Sequence, residues 1–294
     1  MNNKSQRGTI FVEDAVVLSH HAHAGEQYIL RVQAPRIASR AQPGGFAHIT
    51  CDPLLPMRRP LSIMRVDAQA GWVEFLYKAL GAGMRLLARR EAGDALSIIG
   101  PIGVPFAPHA DRPRALLIGG GVGIPPMVFL ADALRAANAS HQPFVIMGSE
   151  VPFPFTAKPS RIMVPGMPDG VIAAMPLMEE WGIPSRLASL QGYPGCFEGY
   201  VTDLARAYLN ALSGTQRNEV EIFCCGPHSM LKACARLARE YGLPCQAALE
   251  EYMACAVGGC AGCAVQLDTP KGPVMKRVCV DGPVFDALQV TNLR

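Results

Sequence analysis

The chain has 294 residues, of which 50% are hydrophobic and 17% are charged, and its formal net charge is +3. This length predicts about two domains, or three if one is small, with enough apolar residues for sizeable cores. The charge is too mild for a nucleic-acid-binding protein. The longest uncharged run, 115–131, is interrupted by glycines and prolines, so we expect no membrane-spanning helix.

The first residues, 1–14, contain no apolar segment with a small-residue cleavage site, which is the pattern of a secretory signal. We therefore expect a cytoplasmic protein. In that compartment the ten cysteines are expected to be reduced thiols or metal ligands rather than disulfides.

Residues 1–108 are composed of short β-rich segments separated by turns. Strands are predicted at 9–18, 28–33, 46–51, 61–66, 73–78 and 95–99, with a helix at 84–90. This order predicts a small antiparallel β-barrel. His20, His21 and His23 could bind a metal, although a polar surface turn between two strands explains them as well.

Residues 109–245 have the pattern of an α/β domain with a parallel sheet. A buried strand at 114–119 leads into the sequence GGGVGIPPM and a helix at 125–137. Strands at 144–147 and 221–225 alternate with helices at 201–212 and 230–241. The segment 152–194 is rich in Pro, Gly and Met, and we assign no elements to it.

Two motifs of the barrel are suited to a flavin dinucleotide. In the sequence Arg58-Arg59-Pro60-Leu61-Ser62, a fixed guanidinium can pair with a diphosphate and a serine hydroxyl can meet a flavin ring edge. Leu76-Tyr77-Lys78 is followed by Gly81-Ala82-Gly83-Met84, a glycine turn that opens a helix with free N–H groups. Taken alone, the second motif is also compatible with a plain strand–turn–helix.

Two further motifs in the α/β domain are suited to a nicotinamide nucleotide. Glycines after a buried strand, Gly119, Gly120, Gly121 and Gly123, let the backbone approach a pyrophosphate, although the pattern is not GxGxxG. Cys225-Gly226-Pro227 ends the last strand and starts a helix with proline. This places the Cys225 thiol at the carboxyl edge of the sheet, where a nicotinamide would lie, while Cys224 points into the core.

Residues 246–294 contain a cysteine motif. Cys255, Cys260, Cys263 and Cys279 follow the spacing C-x4-C-x2-C with a distant fourth cysteine, as in plant-type [2Fe–2S] proteins. An apolar run at 263–267 and a turn at 269–273 predict a hairpin that returns Cys279 to the loop. The alternatives are a zinc site, which usually shows two close cysteine pairs, or unliganded thiols.

Taken in order, RRPLSI, YKALGAGM, GPIG, GGGVGIPPM, CGP and the EEYMAC to VCVDGPVF tail resemble the electron-transfer subunit of class 1B dihydroorotate dehydrogenase. The resemblance covers nearly the whole chain and places it in the ferredoxin–NADP reductase-like superfamily. It implies a flavin barrel (1–108), an NAD-binding α/β domain (109–245) and a [2Fe–2S] domain (246–294). It further implies transfer of electrons between NAD and the FMN of a catalytic partner in pyrimidine biosynthesis, in a heterotetramer with two copies of each subunit.

Carried over by position, the resemblance assigns cofactor roles to the motif residues. FAD would be held by Arg59, Pro60, Leu61, Ser62, Leu76, Lys78, Gly83 and Met84; NAD(H) by Gly119, Gly120, Gly121, Gly123, Gly226 and Pro227, with Cys225 as the catalytic residue; and the cluster by Cys255, Cys260, Cys263 and Cys279. Three features depart from the family. Met84 stands where Ser or Thr is common, Ala256 replaces the glycine that usually follows the first cluster cysteine, and 152–194 does not match the usual adenosine-side stretch.

Two other functions fit the same motifs. A ferredoxin–NADP or sulfide-type oxidoreductase subunit would have the same three parts but another partner. A zinc-stabilised scaffold protein would keep the fold without redox chemistry. No constellation for binding dihydroorotate is recognisable in the sequence, so that substrate is expected to be handled by the partner.

Overall fold

The computed structural model describes residues 8–136 and 141–294. Its first unit is a closed six-stranded antiparallel barrel with the strand order β1-β2-β5-β4-β3-β6. The strands are β1 (Phe11–His23), β2 (Gln27–Gln33), β3 (Phe46–Ile49), β4 (Arg59–Asp67), β5 (Trp72–Lys78) and β6 (Ala95–Ile102); the helices are α1 (Pro35–Ala38) and α2 (Gly81–Leu87).

Alternation along each strand divides the barrel into an inner and an outer face. Leu30, Phe75 and Tyr77 are buried in the barrel interior. On β3 and β4, Phe46 pairs with Ser62 and His48 with Pro60, and directly paired residues share one face. These four side chains point outward, because Ala47 and Leu61 belong to the interior cluster. The outer face of β3 and β4 is therefore available to other parts of the molecule.

The second unit is a six-stranded sheet with the order β11-β8-β7-β12-β13-β16, parallel except for its last strand. Its strands are β7 (Arg114–Gly120), β8 (Gln142–Gly148), β11 (Ser185–Ala188), β12 (Val220–Cys225), β13 (Cys245–Ala248) and β16 (Val284–Asp286). Its helices are α3 (Ile124–Ala136), α4 (Pro176–Glu180), α5 (Val201–Ala211), α6 (Gly214–Asn218) and α7 (His228–Tyr241), with a two-stranded sheet of β9 (Lys158–Pro159) and β10 (Ala173–Ala174).

The cysteine motif lies in a segment inserted between two strands of this sheet. β13 and β16 pair antiparallel, with Ala247 opposite Phe285. Between them are the cysteine loop, a hairpin of β14 (Ala264–Thr269) and β15 (Gly272–Arg277), and the short helix α8 (Val278–Asp281). The predicted boundary between the second and third domains, 245/246, lies within β13. We therefore propose the boundary after Leu249, with β16 returning to the α/β sheet.

The barrel, the parallel sheet and the cysteine-bearing segment confirm the predicted fold class. The expectation that the histidines form a surface turn is wrong, because His20, His21 and His23 all lie within β1. β1 extends past position 18 because it pairs with β2 as far as His23–Gln27. The predicted helix end at position 137 lies outside the described residues. Within the described ranges, no helix is long and apolar enough to cross a membrane.

Candidate functional site

The start of β4 and the start of α2 meet at the mouth of the barrel. A Cβ atom added to Gly83 would lie 3.2 Å from Arg59 Nη2, so the guanidinium lies directly against this glycine. Arg59 Nη1 donates to the carbonyls of Met57 (2.8 Å) and Arg58 (3.1 Å), which fixes the side chain, and no carboxylate of residues 8–136 and 141–294 forms an ion pair with it. A fixed, unneutralised guanidinium beside a glycine suits a diphosphate. The two barrel motifs that are suited to a flavin dinucleotide thus lie side by side.

The other predicted flavin residues differ in what they can offer. Ser62 and Lys78 are half-buried on the outer face of the barrel. Leu76 is buried between barrel and sheet, beside an apolar cavity of about 290 Å³. Leu61 and Met84 point into the barrel core, so only their backbone groups can reach a cofactor. Met84 lacks the hydroxyl of the Ser or Thr that is common at this position in the family, but its backbone N–H donor is still present.

The glycines at the end of β7 and in the turn that follows it are of two kinds. A Cβ at Gly123 would lie 2.3 Å from the Cys225 carbonyl oxygen, and one at Gly120 would lie 2.6 Å from Met230 Sδ. Glycine is required at these positions because the turn after β7 packs closely against the turn after β12. Gly121 has φ +54° and no atom within 4 Å of its added Cβ, so it faces open space. Of these three, Gly121 is the position where a nucleotide can approach the backbone.

Cys225 ends β12 at the carboxyl edge of the sheet, as the sequence predicts. It is only 1% exposed, and burial raises the pKa of its thiol well above the usual value. Its Sγ lies 4.0 Å from Glu250 Oε1. Glu250 is reachable by solvent on one side, yet the surrounding protein desolvates its carboxyl and raises its pKa. A protonated thiol beside a carboxyl group can orient a ring but cannot act as a nucleophile.

Sequence reasoning did not find Glu250 or Met230. Glu250 follows β13 by two residues, and the pairing of β12 with β13 brings it beside Cys225. The signal available in the sequence was its position just after a strand of the α/β domain. Met230 lies over Gly120 and Gly226, whose added Cβ atoms would both be 2.6 Å from its thioether end. No sequence pattern indicates this contact, since it depends on how two turns pack.

The four predicted cysteines are brought together as two pairs. Cys255 Sγ lies 3.4 Å from Cys260 Sγ, and Cys263 Sγ lies 3.4 Å from Cys279 Sγ. In the described part of the chain, no three His, Cys, Asp or Glu side chains are grouped closely enough to bind one metal ion. A single zinc ion would need all four sulfurs around one centre, whereas a [2Fe–2S] cluster takes two thiolates on each of two irons. The arrangement fits the cluster.

The backbone of the cysteine loop is arranged around the sulfurs. The N–H groups of Cys260 and Gly262 each approach a cysteine sulfur at 3.4 Å. Burial raises the pKa of Cys255, but backbone N–H groups of the loop outweigh this effect and lower the pKa to about 7. Ala256 and Ala261 have positive φ angles of 56° and 54°, a region that disfavours a Cβ. Ala256 is buried, which offsets part of that strain.

Other concave or polar features do not coincide with the predicted residues. A cavity of about 420 Å³ lies at the amino end of the sheet beside Arg114 and Tyr208, and none of the predicted site residues lines it. His20 is 2.8 Å from the Tyr77 hydroxyl and 2.7 Å from the Arg90 carbonyl oxygen. These contacts satisfy His20 structurally rather than as a metal ligand.

Comparison with known proteins gives a consistent result. Residues 250–291 match the profile of the iron–sulfur cluster binding domain of dihydroorotate dehydrogenase B. The chain is 32% identical to the dihydroorotate dehydrogenase B (NAD(+)) electron transfer subunit of Desulforamulus reducens, covering 95% of this chain and 98% of that protein. It is 33% identical to the corresponding subunit of Geobacillus kaustophilus, with the same coverage.

Among solved structures, the chain is similar to an NADH-dependent reduced ferredoxin-NADP oxidoreductase, with a TM-score of 0.75, 24% identity and coverage of 95% of this chain and 90% of that chain. It is also similar to the ferredoxin reductase of carbazole 1,9a-dioxygenase, with a TM-score of 0.61, 22% identity and coverage of 80% and 67%. At these identities the likeness concerns the fold.

The barrel, the parallel sheet and the cysteine loop have the ferredoxin–NADP reductase-like fold. The matched iron–sulfur domain and the relatives place the chain in the class of NAD-linked iron–sulfur oxidoreductase subunits. Its cofactors are FAD, a [2Fe–2S] cluster and NAD(H), as predicted. Within that class, the chain belongs to the family of dihydroorotate dehydrogenase B (NAD(+)) electron transfer subunits. The resemblance found in the sequence is thereby confirmed.

Proposed function

We propose that the chain passes electrons between NAD(H) and an FMN-containing catalytic subunit that oxidises dihydroorotate, in cytoplasmic pyrimidine biosynthesis. The two subunits would form a heterotetramer with two copies of each. The family relationship supports this assignment, because the relatives are named as one subunit of dihydroorotate dehydrogenase B. The observation that carries it is the arrangement of the four cysteine sulfurs as two pairs.

The flavin is assigned to the outer face of the barrel. Arg59 would neutralise the diphosphate, and Gly83 would let the phosphate approach the start of α2. Pro60, Ser62, Leu76 and Lys78 would line the ring and its chain, with the backbone of Leu61 and Met84 completing the set. When bound, FAD accepts two electrons from a nicotinamide and releases them singly to a one-electron centre.

The nicotinamide nucleotide is assigned to the carboxyl edge of the sheet. Gly121 leaves room for the pyrophosphate. Gly120, Gly123 and Gly226 allow the turn after β7 to pack against the turn after β12, and Gly119 allows close packing against the start of α3 at Ile124. Pro227 is the N-cap of α7, where its missing N–H group costs no hydrogen bond within the helix. Cys225, held protonated by burial, would orient the nicotinamide ring, and Glu250 would lie beside it.

The function is tested with the purified chain reconstituted with FAD, iron and inorganic sulfide. We expect a flavin and iron–sulfur visible spectrum, and NADH oxidation with an artificial acceptor. Dihydroorotate turnover should require added FMN-containing partner. Turnover of dihydroorotate by the isolated chain would contradict this division of labour, and a colourless zinc-containing protein would favour the scaffold alternative.

A second candidate function is a ferredoxin-linked oxidoreductase subunit. The observation in its favour is the fold shared with an NADH-dependent ferredoxin-NADP oxidoreductase over 95% of this chain. The two functions differ in the partner. If reduced ferredoxin stimulates nicotinamide reduction and no FMN subunit gives dihydroorotate turnover, the second function is the correct one.

A further inference from the structure

His48 is a buried side chain that the fold itself does not explain. It is 1% exposed, and within the described residues neither its Nδ1 nor its Nε2 has a hydrogen-bond partner. Buried polar groups are nearly always hydrogen-bonded, because leaving one unpaired costs free energy. The described residues therefore leave both ring nitrogens of His48 without a hydrogen bond.

The position of His48 connects two parts of the molecule. It lies on β3 directly opposite Pro60, on the outer face assigned to the flavin. Two backbone groups lie near the ring, that of Arg58 at the start of β4 and that of Met253 before the cysteine loop, and both raise the pKa of His48, although neither contact has the geometry of a hydrogen bond. Met253 is two residues before Cys255, the first cluster cysteine. The imidazole thus lies between the flavin face and the cysteine loop.

The surroundings keep the ring neutral. Burial lowers the pKa of His48 to about 4, and the charges of Arg58 and Arg59 contribute to this shift. Arg58 is fixed by Ser97, whose carbonyl oxygen and hydroxyl accept from it at 2.6 and 2.9 Å. A neutral imidazole has one donor and one acceptor nitrogen. It can therefore hydrogen-bond to backbone on one side and to a second group on the other.

We infer that His48 is a positioning residue that joins the flavin face of the barrel to the cysteine loop, through a hydrogen bond to the backbone at Met253 in the protein loaded with both cofactors. This inference rests on the proposed function, since it assumes that electrons pass between these two sites. The joint would hold the two cofactors at a fixed separation.

The test compares His48→Leu, which removes both nitrogens, with His48→Gln, which keeps a donor and an acceptor. His21→Leu is the matched control, because His21 is an exposed histidine of the same barrel. All variants are loaded with FAD and iron, and their folding is checked by circular dichroism. Rapid mixing with NADH gives the rates of flavin and cluster reduction, and electron paramagnetic resonance records the dithionite-reduced cluster.

In His48→Leu the ratio of cluster reduction to flavin reduction should fall by about tenfold, with a changed resonance spectrum. The ratio should change by less than about twofold in His48→Gln and in His21→Leu. An unchanged ratio and spectrum in His48→Leu would overturn the inference. If His48→Leu does not fold, His48→Gln and His48→Phe are compared, and equal ratios in these two would overturn it. Failure of NADH to reduce the flavin in the unaltered chain would instead refute the proposed function.

Discussion

Replacing single glycines by alanine in the turn after β7 separates packing from nucleotide binding. In Gly123→Ala the new Cβ would lie 2.3 Å from the Cys225 carbonyl oxygen and 2.5 Å from Gly226 Cα. Both contacts are with backbone, which cannot rotate away, whereas relaxed carbon contacts lie near 3.5–4.0 Å. We expect the free energy of unfolding to fall by about 3 kcal/mol, the upper part of the usual range for overpacking.

In Gly121→Ala the new methyl group meets no protein atom within 4 Å, and only the backbone angle of +54° opposes it. The left-handed conformation costs an alanine about 1–2 kcal/mol, partly offset by the smaller entropy of the unfolded chain. We expect a loss of stability of about 1 kcal/mol and an intact fold. Since the methyl would occupy the space assigned to the pyrophosphate, the KM for NADH should rise by about tenfold, equivalent to about 1.4 kcal/mol.

The assay is urea unfolding of each variant followed by circular dichroism, together with NADH oxidation at varied NADH concentration. We expect opposite rankings: Gly123→Ala should lower stability more, and Gly121→Ala should raise the KM of the folded enzyme more. An unaltered KM in Gly121→Ala would show that the nucleotide does not approach this turn. Normal stability in Gly123→Ala would show that the two turns are not packed as described.

Three further predictions concern the other sites. Cys279→Ser should weaken or abolish the cluster resonance signal, while Cys245→Ser, which removes a buried thiol outside the loop, should keep it; a full signal in the first variant would contradict the ligand assignment. Arg59→Ala should lose FAD on dialysis and keep the cluster, whereas Arg65→Ala, which removes the partner 3.7 Å from Glu74, should keep both; retention of flavin by Arg59→Ala would make Arg59 a plain surface cation. In the iron-free protein, the pKa of Cys255 is lowered to about 7, so its thiolate stabilises the loop fully above the free-cysteine value of about 8.5, and this contribution is lost as the pH falls through about 7. Iodoacetamide should therefore alkylate Cys255 at neutral pH faster than free cysteine, and a rate midpoint near the free value of about 8.5 would contradict the shift.

The elements with strong periodicity were the ones that the sequence could predict. The sequence predicts β12 and α7 because the apolar run Ile222–Cys225 leads into a Gly-Pro turn and an amphipathic helix. The sequence also predicts the cysteine loop, because the spacing of the cysteines determines which sulfurs one loop can bring to the same cluster. Both kinds of signal are local, so a single sequence is sufficient to find them.

The features that escaped prediction depend on contacts between distant residues. β16 has only three residues and becomes a strand because β13 is available to pair with it. β1 continues through the histidines because β2 is long enough to pair with them. Likewise, the short elements of 152–194 are stabilised by Arg186, which donates to the carbonyls of Val171 and Ile162. Residue propensities carry little information about such pairings.

The insertion of the cysteine loop between β13 and β16 has a consequence for how the protein matures. Because these two strands pair directly, both ends of the inserted segment are anchored on a sheet made of ordinary hydrogen bonds and apolar contacts. The sheet can therefore close before iron arrives, and the apoprotein presents a tethered loop with Cys260 exposed and Cys255 partly so. A cluster donor would meet two accessible thiols first and the buried pair, Cys263 and Cys279, second, which gives cluster delivery an order that follows from the topology of the chain.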